Sequence, residues 1–119
     1  MYENENTIRA IHMEDKNERT FFLAESLEVR DKMFQAIFEQ SPIGIIIGMH
    51  GKIYDANPMA EKILGRSKKE LLSVPWQYYA HMDDIQKDEV LLNRLRTGEI
   101  QNYSLEKRYI KPDGSVVWV

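Results

Sequence analysis

Hydrophobic and polar positions change rhythm three times between residues 41 and 72, SPIGIIIGMHGKIYDANPMAEKILGRSKKELL. Residues 43–49 are almost continuously apolar, which predicts a strand covered on both faces. His50-Gly51 reads as a tight turn, with Gly51 supplying a positive φ, and residues 52–56 as the return strand. The period then lengthens to that of a helix. Asn57 is the expected N-cap, Pro58 the first helical residue, and Met59, Ile63 and Leu64 the apolar stripe. Gly65 is placed to end this helix in the left-handed conformation. Ser67-Lys68-Lys69-Glu70 has capping-box spacing and predicts a further small helix carrying Leu71 and Leu72.

The flanks are less regular. Residues 7–13 are compatible with a short strand. Asp15-Lys16-Asn17-Glu18 reads as a helix start, followed by a helix to about residue 40, where Ser41-Pro42 stops it. Leu23, Leu27, Arg30, Phe34, Ile37 and Ser41 step alternately by four and three, a seam like that of a coiled coil. It suits packing on the chain's own domain or pairing with a second copy. Pro75-Trp76-Gln77-Tyr78-Tyr79 predicts one helical turn with Pro75 in first position. Asp83-Asp84-Ile85-Gln86 reads as a third capping box, opening a helix over 84–97 with Ile85, Leu91, Leu92 and Leu95 inward and Thr97-Gly98 as its stop. Residues 101–110 predict a strand with Tyr103, Leu105 and Tyr109 on one face. Lys111-Pro112-Asp113-Gly114 is a hairpin turn, and residues 115–119 are the returning strand. The fold class expected from this order is α+β.

Length and composition narrow the function classes. One domain is the expectation for 119 residues. The net charge of −3 comes from interspersed acidic and basic residues, so there is no clustered basic face of the kind nucleic acid requires. The chain has no cysteine, which excludes disulfides, thiolate metal sites and thiol-linked cofactors. The longest apolar run, 43–49, falls far short of the ~20 residues of a membrane span. The polar start MYENENTIR does not read as a signal peptide. A cytoplasmic location without direct membrane contact is the expectation.

No catalytic or metal constellation emerges. His12, His50 and His81 lack ligand spacing. The aspartates beside His81 are accounted for by helix capping rather than acid–base work. Asn57 has a capping role before any ligand role. Trp76, Tyr78 and Tyr79 suit core packing or the wall of a ligand cavity, and Met33, Met49, Met59 and Met82 form no stripe.

Several motifs in order carry a family resemblance. They are Phe38-Glu39-Gln40-Ser41-Pro42-Ile43-Gly44-Ile45 entering the first strand, Asp55-Ala56-Asn57-Pro58-Met59-Ala60 leaving the second, and Leu64-Gly65-Arg66-Ser67-Lys68-Lys69-Glu70-Leu71-Leu72. His81-Met82-Asp83-Asp84 and Lys111-Pro112-Asp113-Gly114-Ser115-Val116-Val117-Trp118-Val119 follow. Over residues 34–119 the chain resembles the PAS family of sensory domains. Met82 stands where that family usually has proline.

The resemblance implies a five-stranded antiparallel sheet with small helices on one face, preceded here by a long N-terminal helix. The family's last strand lies centrally, between the first strand and the penultimate one, and would fall beyond residue 119. Residues 7–19, with Asp15, Glu18 and Arg19, resemble the end of a preceding PAS domain. The expected division is therefore 1–15 as that domain's final strand, 16–40 as a linker helix and 41–119 as a PAS-like domain without its own last strand. Residues 7–13 are the expected neighbour of 43–49, within one chain or exchanged in a homodimer. Interface residues would be Ile8, Ile11, Leu23, Leu27, Phe34 and Ile37.

A pocket would be lined by Ile45, Ile47, Asn57, Ile63, Leu72, Trp76, Tyr79, Leu92, Leu95, Tyr103 and Leu105. Within the family, cysteine-linked flavin and chromophore are excluded here. Haem is disfavoured because residues 84–97 contain no histidine. Non-covalent flavin and a small organic ligand remain compatible. The implied function is a sensory and dimerisation module of a multidomain signalling protein, a sensor histidine kinase with tandem PAS and output domains. The alternative is a ligand-free scaffold in a cyclic-dinucleotide enzyme or chemoreceptor.

Overall fold

In the computed structural model, residues 6–13, 24–49 and 51–119 are described. The element order is β1 (Ile8–Met13), α1 (Ala24–Gln40), β2 (Gly44–Met49), β3 (Lys52–Ala56), α2 (Pro58–Leu64), α3 (Lys68–Ser73), a 3₁₀ turn (Trp76–Tyr78), α4 (Met82–Arg96), β4 (Arg108–Ile110) and β5 (Val116–Trp118). The fold is mixed α+β, with small helices between β3 and β4. Strands β1, β2 and β3 form one sheet in that order, and β4 and β5 a second. Pairing is antiparallel in β2–β3 and β4–β5. β1 lies beside β2 of the same chain and runs parallel to it, from Ile8 opposite Gly44 to Met13 opposite Met49. The expected capping motif at 15–18, Arg19, Leu23 and His50 lie outside the described residues.

Two local features allow this packing. Gly44 is where β1 crosses α2 closely: a Cβ there would stand 2.9 Å from Ile8 Cγ1 and 3.2 Å from Ala60 Cα. Only a residue without a side chain fits. Between β2 and β3, Ile47 faces Asp55 while Gly48 faces Ile53, leaving Tyr54 as the extra residue of a bulge. The core cluster joins Ile46, Ile53 and Ala56 of the sheet to Ala60, Ile63, Leu64 and Leu71 of α2 and α3, and to Tyr79, Ala80 and Tyr109.

Asn57 ties the layers together. It is completely buried. Its Oδ1 accepts from Ala60 N at 3.0 Å, as an N-cap does, and from Ile45 N at 2.8 Å. Its Nδ2 donates to Phe38 O at 3.0 Å and Ile43 O at 2.9 Å. One side chain therefore fixes the end of α1, the entry to β2 and the start of α2. Gly65 closes α2 at φ 66°, and the Ser67–Glu70 capping box is complete in both directions.

The structure corrects four expectations. α4 begins at Met82, and His81, not Asp83, is its N-cap, with Nδ1 accepting from Asp83 N at 3.1 Å. Its fully buried residues are Asp84 and Asp88, while Ile85, Leu91, Leu92 and Leu95 are half-buried. Pro75 precedes the 3₁₀ turn rather than starting it. Strand β4 occupies only Arg108–Ile110 of the predicted 101–110. A strand needs a backbone partner, and the β4–β5 ladder pairs Arg108, Tyr109 and Ile110 with Trp118, Val117 and Val116.

Candidate functional site: a charged cavity beside the sheet

The chain folds around a cavity of 840 Å³ between the β1–β2–β3 sheet, α4 and residues 101–107. That size falls within the range of about 300–1,000 Å³ common for small-molecule sites. α4 supplies one wall by its helical period. Asp84, Asp88, Leu92 and Leu95 repeat at spacings of four, four and three, so they form a single stripe. The stripe is acidic in its first half and apolar in its second. Asp88, Leu92 and Leu95 line the cavity, with Ile46 and Ile53 of the sheet.

A polar network closes one side. Tyr103 O–H donates to Asp88 Oδ1 at 2.6 Å, and the Lys107 ammonium is hydrogen-bonded to Asp88 Oδ2. Lys107 Nζ also stands 4.7 Å from the Trp76 ring centroid and 5.0 Å from that of Tyr109, within the range of cation–π attraction. A buried ion pair of this kind holds only if the remaining lone pairs and protons find partners, and Tyr103 and the two rings provide them. Burial, and then the hydrogen bond to Asp88, push the Tyr103 hydroxyl well above its ordinary pKa. Burial works against the charge on Lys107, but Tyr109 and Asp88 outweigh it and its pKa is raised.

A second acid, Asp84, anchors the site from behind. Its carboxylate accepts from Arg108 Nη2 at 2.8 Å, from Arg108 Nε at 2.9 Å and from the Arg108 backbone N at 2.8 Å. The Arg108 side chain holds Asp84 far below the usual carboxylate range against the cost of burial.

Of the residues expected to line a pocket, Trp76, Leu92, Leu95, Tyr103 and Leu105 do border this cavity. Ile45, Ile47, Asn57, Ile63, Leu72 and Tyr79 do not. On β2 the cavity face carries Ile46 and Gly48, so the expected face differs by one residue, which in a strand is the opposite side. Ile63 and Tyr79 belong to the core cluster. Sequence reading missed Asp88 and Lys107. Lys107 shares strand parity with Tyr103, Leu105 and Tyr109, and Asp88 shares the helical stripe of Leu92. Either periodicity extended through a charged residue would have found them.

The expected interface residues are dispersed. Ile8 is half-buried against the core, and Ile11 is exposed. Phe34 and Ile37 are 40% and 65% exposed on α1, beside the exposed Val29 and Met33. Phe34 stacks on the buried Phe38 at 5.2 Å. Leu23 and the side chain of Leu27 lie outside the described residues. His12 sits on β1 and His81 caps α4, and no group of acidic or histidine side chains among the described residues is arranged to hold a metal ion.

The sequence matches the family described as "PAS domain" over residues 42–119. The chain belongs to the PAS domain family. It is 36% identical over 86 residues to the "Probable diguanylate cyclase DgcE" of Escherichia coli K12, covering 71% of this chain and 8% of that protein. It is 26% identical over 94 residues to the "Sensor histidine kinase TmoS" of Ectopseudomonas mendocina, covering 78% of this chain and 10% of that protein. Among solved structures, a domain of a sensory box sensor histidine kinase/response regulator from Geobacter sulfurreducens superposes with a TM-score of 0.63 at 21% identity, over 80% of this chain and 82% of that one. This PAS domain therefore spans about a tenth of the length of the curated relatives it matches. No helix among the described residues is long and apolar enough to cross a membrane.

Proposed function

We propose that this PAS domain is a non-catalytic sensory and dimerisation module of a longer cytoplasmic signalling protein. A small organic ligand in the cavity, or a partner, shifts the sheet, and α1 carries the shift to neighbouring PAS and output domains. The observation that supports this reading is the Asn57 hub. Ile45 N on β2 and Phe38 O near the end of α1 bind the same buried side chain, at 2.8 and 3.0 Å. Movement of β2, whose Ile46 and Gly48 border the cavity, is thus tied to the pitch or rotation of α1. The exposed apolar residues Val29, Met33 and Ile37 recur every four positions and suit a helix that pairs with a second copy.

The output enzyme we favour is a sensor histidine kinase. A diguanylate cyclase is the second reading, supported by the higher identity to the E. coli relative. The family match begins at residue 42, which supports treating 1–15 and 16–40 as the last strand of a preceding PAS domain and its linker helix. The six β1–β2 pairs could equally be made between two chains, giving an exchanged homodimer.

Native mass spectrometry of the purified chain tests ligand sensing, and a retained small molecule is the expected result. Light scattering of Ile37→Asp tests dimerisation. A wild-type dimer should become a monomer, and output of the full-length protein should change. An unchanged oligomeric state together with unchanged output would sink the coupling role of α1.

A further inference from the structure

The cavity wall differs in charge from the molecule it belongs to. The chain carries a net charge of −3. Yet among the described residues Arg9, Lys52, Arg96 and Lys107 line the cavity, with Asp88 and Glu106 of opposite sign. Asp88 and Lys107 are paired and offset each other's charge, with Tyr103 also donating to Asp88, which leaves Arg9, Lys52 and Arg96 against Glu106. What remains is a predominantly cationic rim around an apolar interior.

Arg96 is the cation best placed to meet a ligand. It lies one residue beyond Leu95 at the end of α4, lines the cavity and is solvent-exposed. Its guanidinium approaches the β2–β3 turn, where a Cβ on Gly51 would be 3.9 Å from Nη2. Arg94, two residues earlier, is engaged with Glu99 at 3.2 Å. Arg96 has no ion pair or hydrogen bond with another of the described residues.

We propose that the cavity takes a small organic anion: a carboxylate paired with Arg96 at the rim, on an apolar body lying against Ile46, Ile53, Leu92 and Leu95. This deepens the ligand-sensing reading above and rests on it. The guanidinium fork matches a carboxylate in two parallel hydrogen bonds. A cleft walled by apolar groups and lined by one sign of charge concentrates ions of the other sign. An amine of the same size would meet Arg96 as a like charge.

Isothermal titration calorimetry of the 119-residue chain with octanoate, octanol and octylamine tests this. Octanoate should bind about tenfold or more tighter than octanol, with octylamine weakest. Arg96→Gln should reduce octanoate affinity by about tenfold and leave octanol unaffected. Arg94→Gln, outside the cavity, should alter neither. Equal affinity for octanol and octanoate, or an Arg96→Gln variant that binds octanoate as wild type does, overturns the anion assignment and leaves the sensor reading in place. If none of the three binds, the anion assignment is overturned as well. The sensor reading then stands or falls on whether native mass spectrometry shows another molecule retained.

Discussion

Asp84, 1% exposed, and Arg108, on the neighbouring strand, are joined by two side-chain hydrogen bonds of 2.8 and 2.9 Å. A third bond, 2.8 Å, runs from the Arg108 backbone N to the same carboxylate. The pair locks the first turn of α4 to β4.

Asp84→Asn should therefore destabilise the domain by about 2 kcal/mol at neutral pH, the order of a lost charge-assisted hydrogen bond in a buried site. The acid limb should change as well. The folded state depresses the pKa of Asp84, so its contribution is complete above the ordinary carboxylate pKa and is lost as pH falls through the folded value. Urea unfolding followed by circular dichroism between pH 5 and pH 2 should show a shallower loss of stability in Asp84→Asn than in wild type. Parallel pH profiles would contradict this.

Asn57→Ala removes one N-cap and three further bonds at a fully buried position. The expected loss is about 3 kcal/mol or more. Asn57→Asp separates the roles, keeping an acceptor for Ala60 N and Ile45 N while losing the donor to Phe38 O and Ile43 O. Hydrogen exchange should then rise at the C-terminal end of α1 more than in α2. Uniform exchange across both helices would argue against Asn57 as the link between them.

Gly44→Ala places a methyl 2.9 Å from Ile8 Cγ1. β1 should be pushed from the sheet, with amide protection lost over Ile8–Met13, and stability should fall by about 1–3 kcal/mol. Adding Ile8→Ala should restore part of the protection. If Gly44→Ala alone leaves β1 protected, the strand does not pack at this register.

Above about pH 10, stability should decline. Tyr103 and Lys107 both have pKa values raised by the fold, so the folded state holds protons that the unfolded chain releases. Tyrosinate absorbance should show a delayed ionisation that appears only with unfolding, and Tyr103→Phe should reduce that delayed step. A delayed step that persists undiminished in the variant would assign it to another tyrosine.

Much of the fold was legible because local chemistry dictates it. Asn57-Pro58, Gly65, the Ser67–Glu70 box and the Pro112–Gly114 turn satisfy or bend the backbone by themselves, and each appears where the residues imply. The site was legible in part. Trp76, Leu92, Leu95, Tyr103 and Leu105, expected to line a pocket, border the cavity. Residues 43–49 are apolar on both sides and give no alternation to show which face of β2 turns to the cavity.

By its sequence alone this protein determined its strand–helix order, the caps of α2 and α3, its glycine turns and its membership of the PAS family. These depend on backbone hydrogen bonds between near neighbours. Only the tertiary structure decided that β1 lies parallel to β2, and that the two inward acids of α4 pair with Lys107 and Arg108. A buried charge is tolerable only when its counter-charge arrives from elsewhere in the chain. Asp88 meets Lys107 nineteen residues away, and Asp84 meets Arg108 at a separation of twenty-four, distances over which sequence periodicity carries no signal.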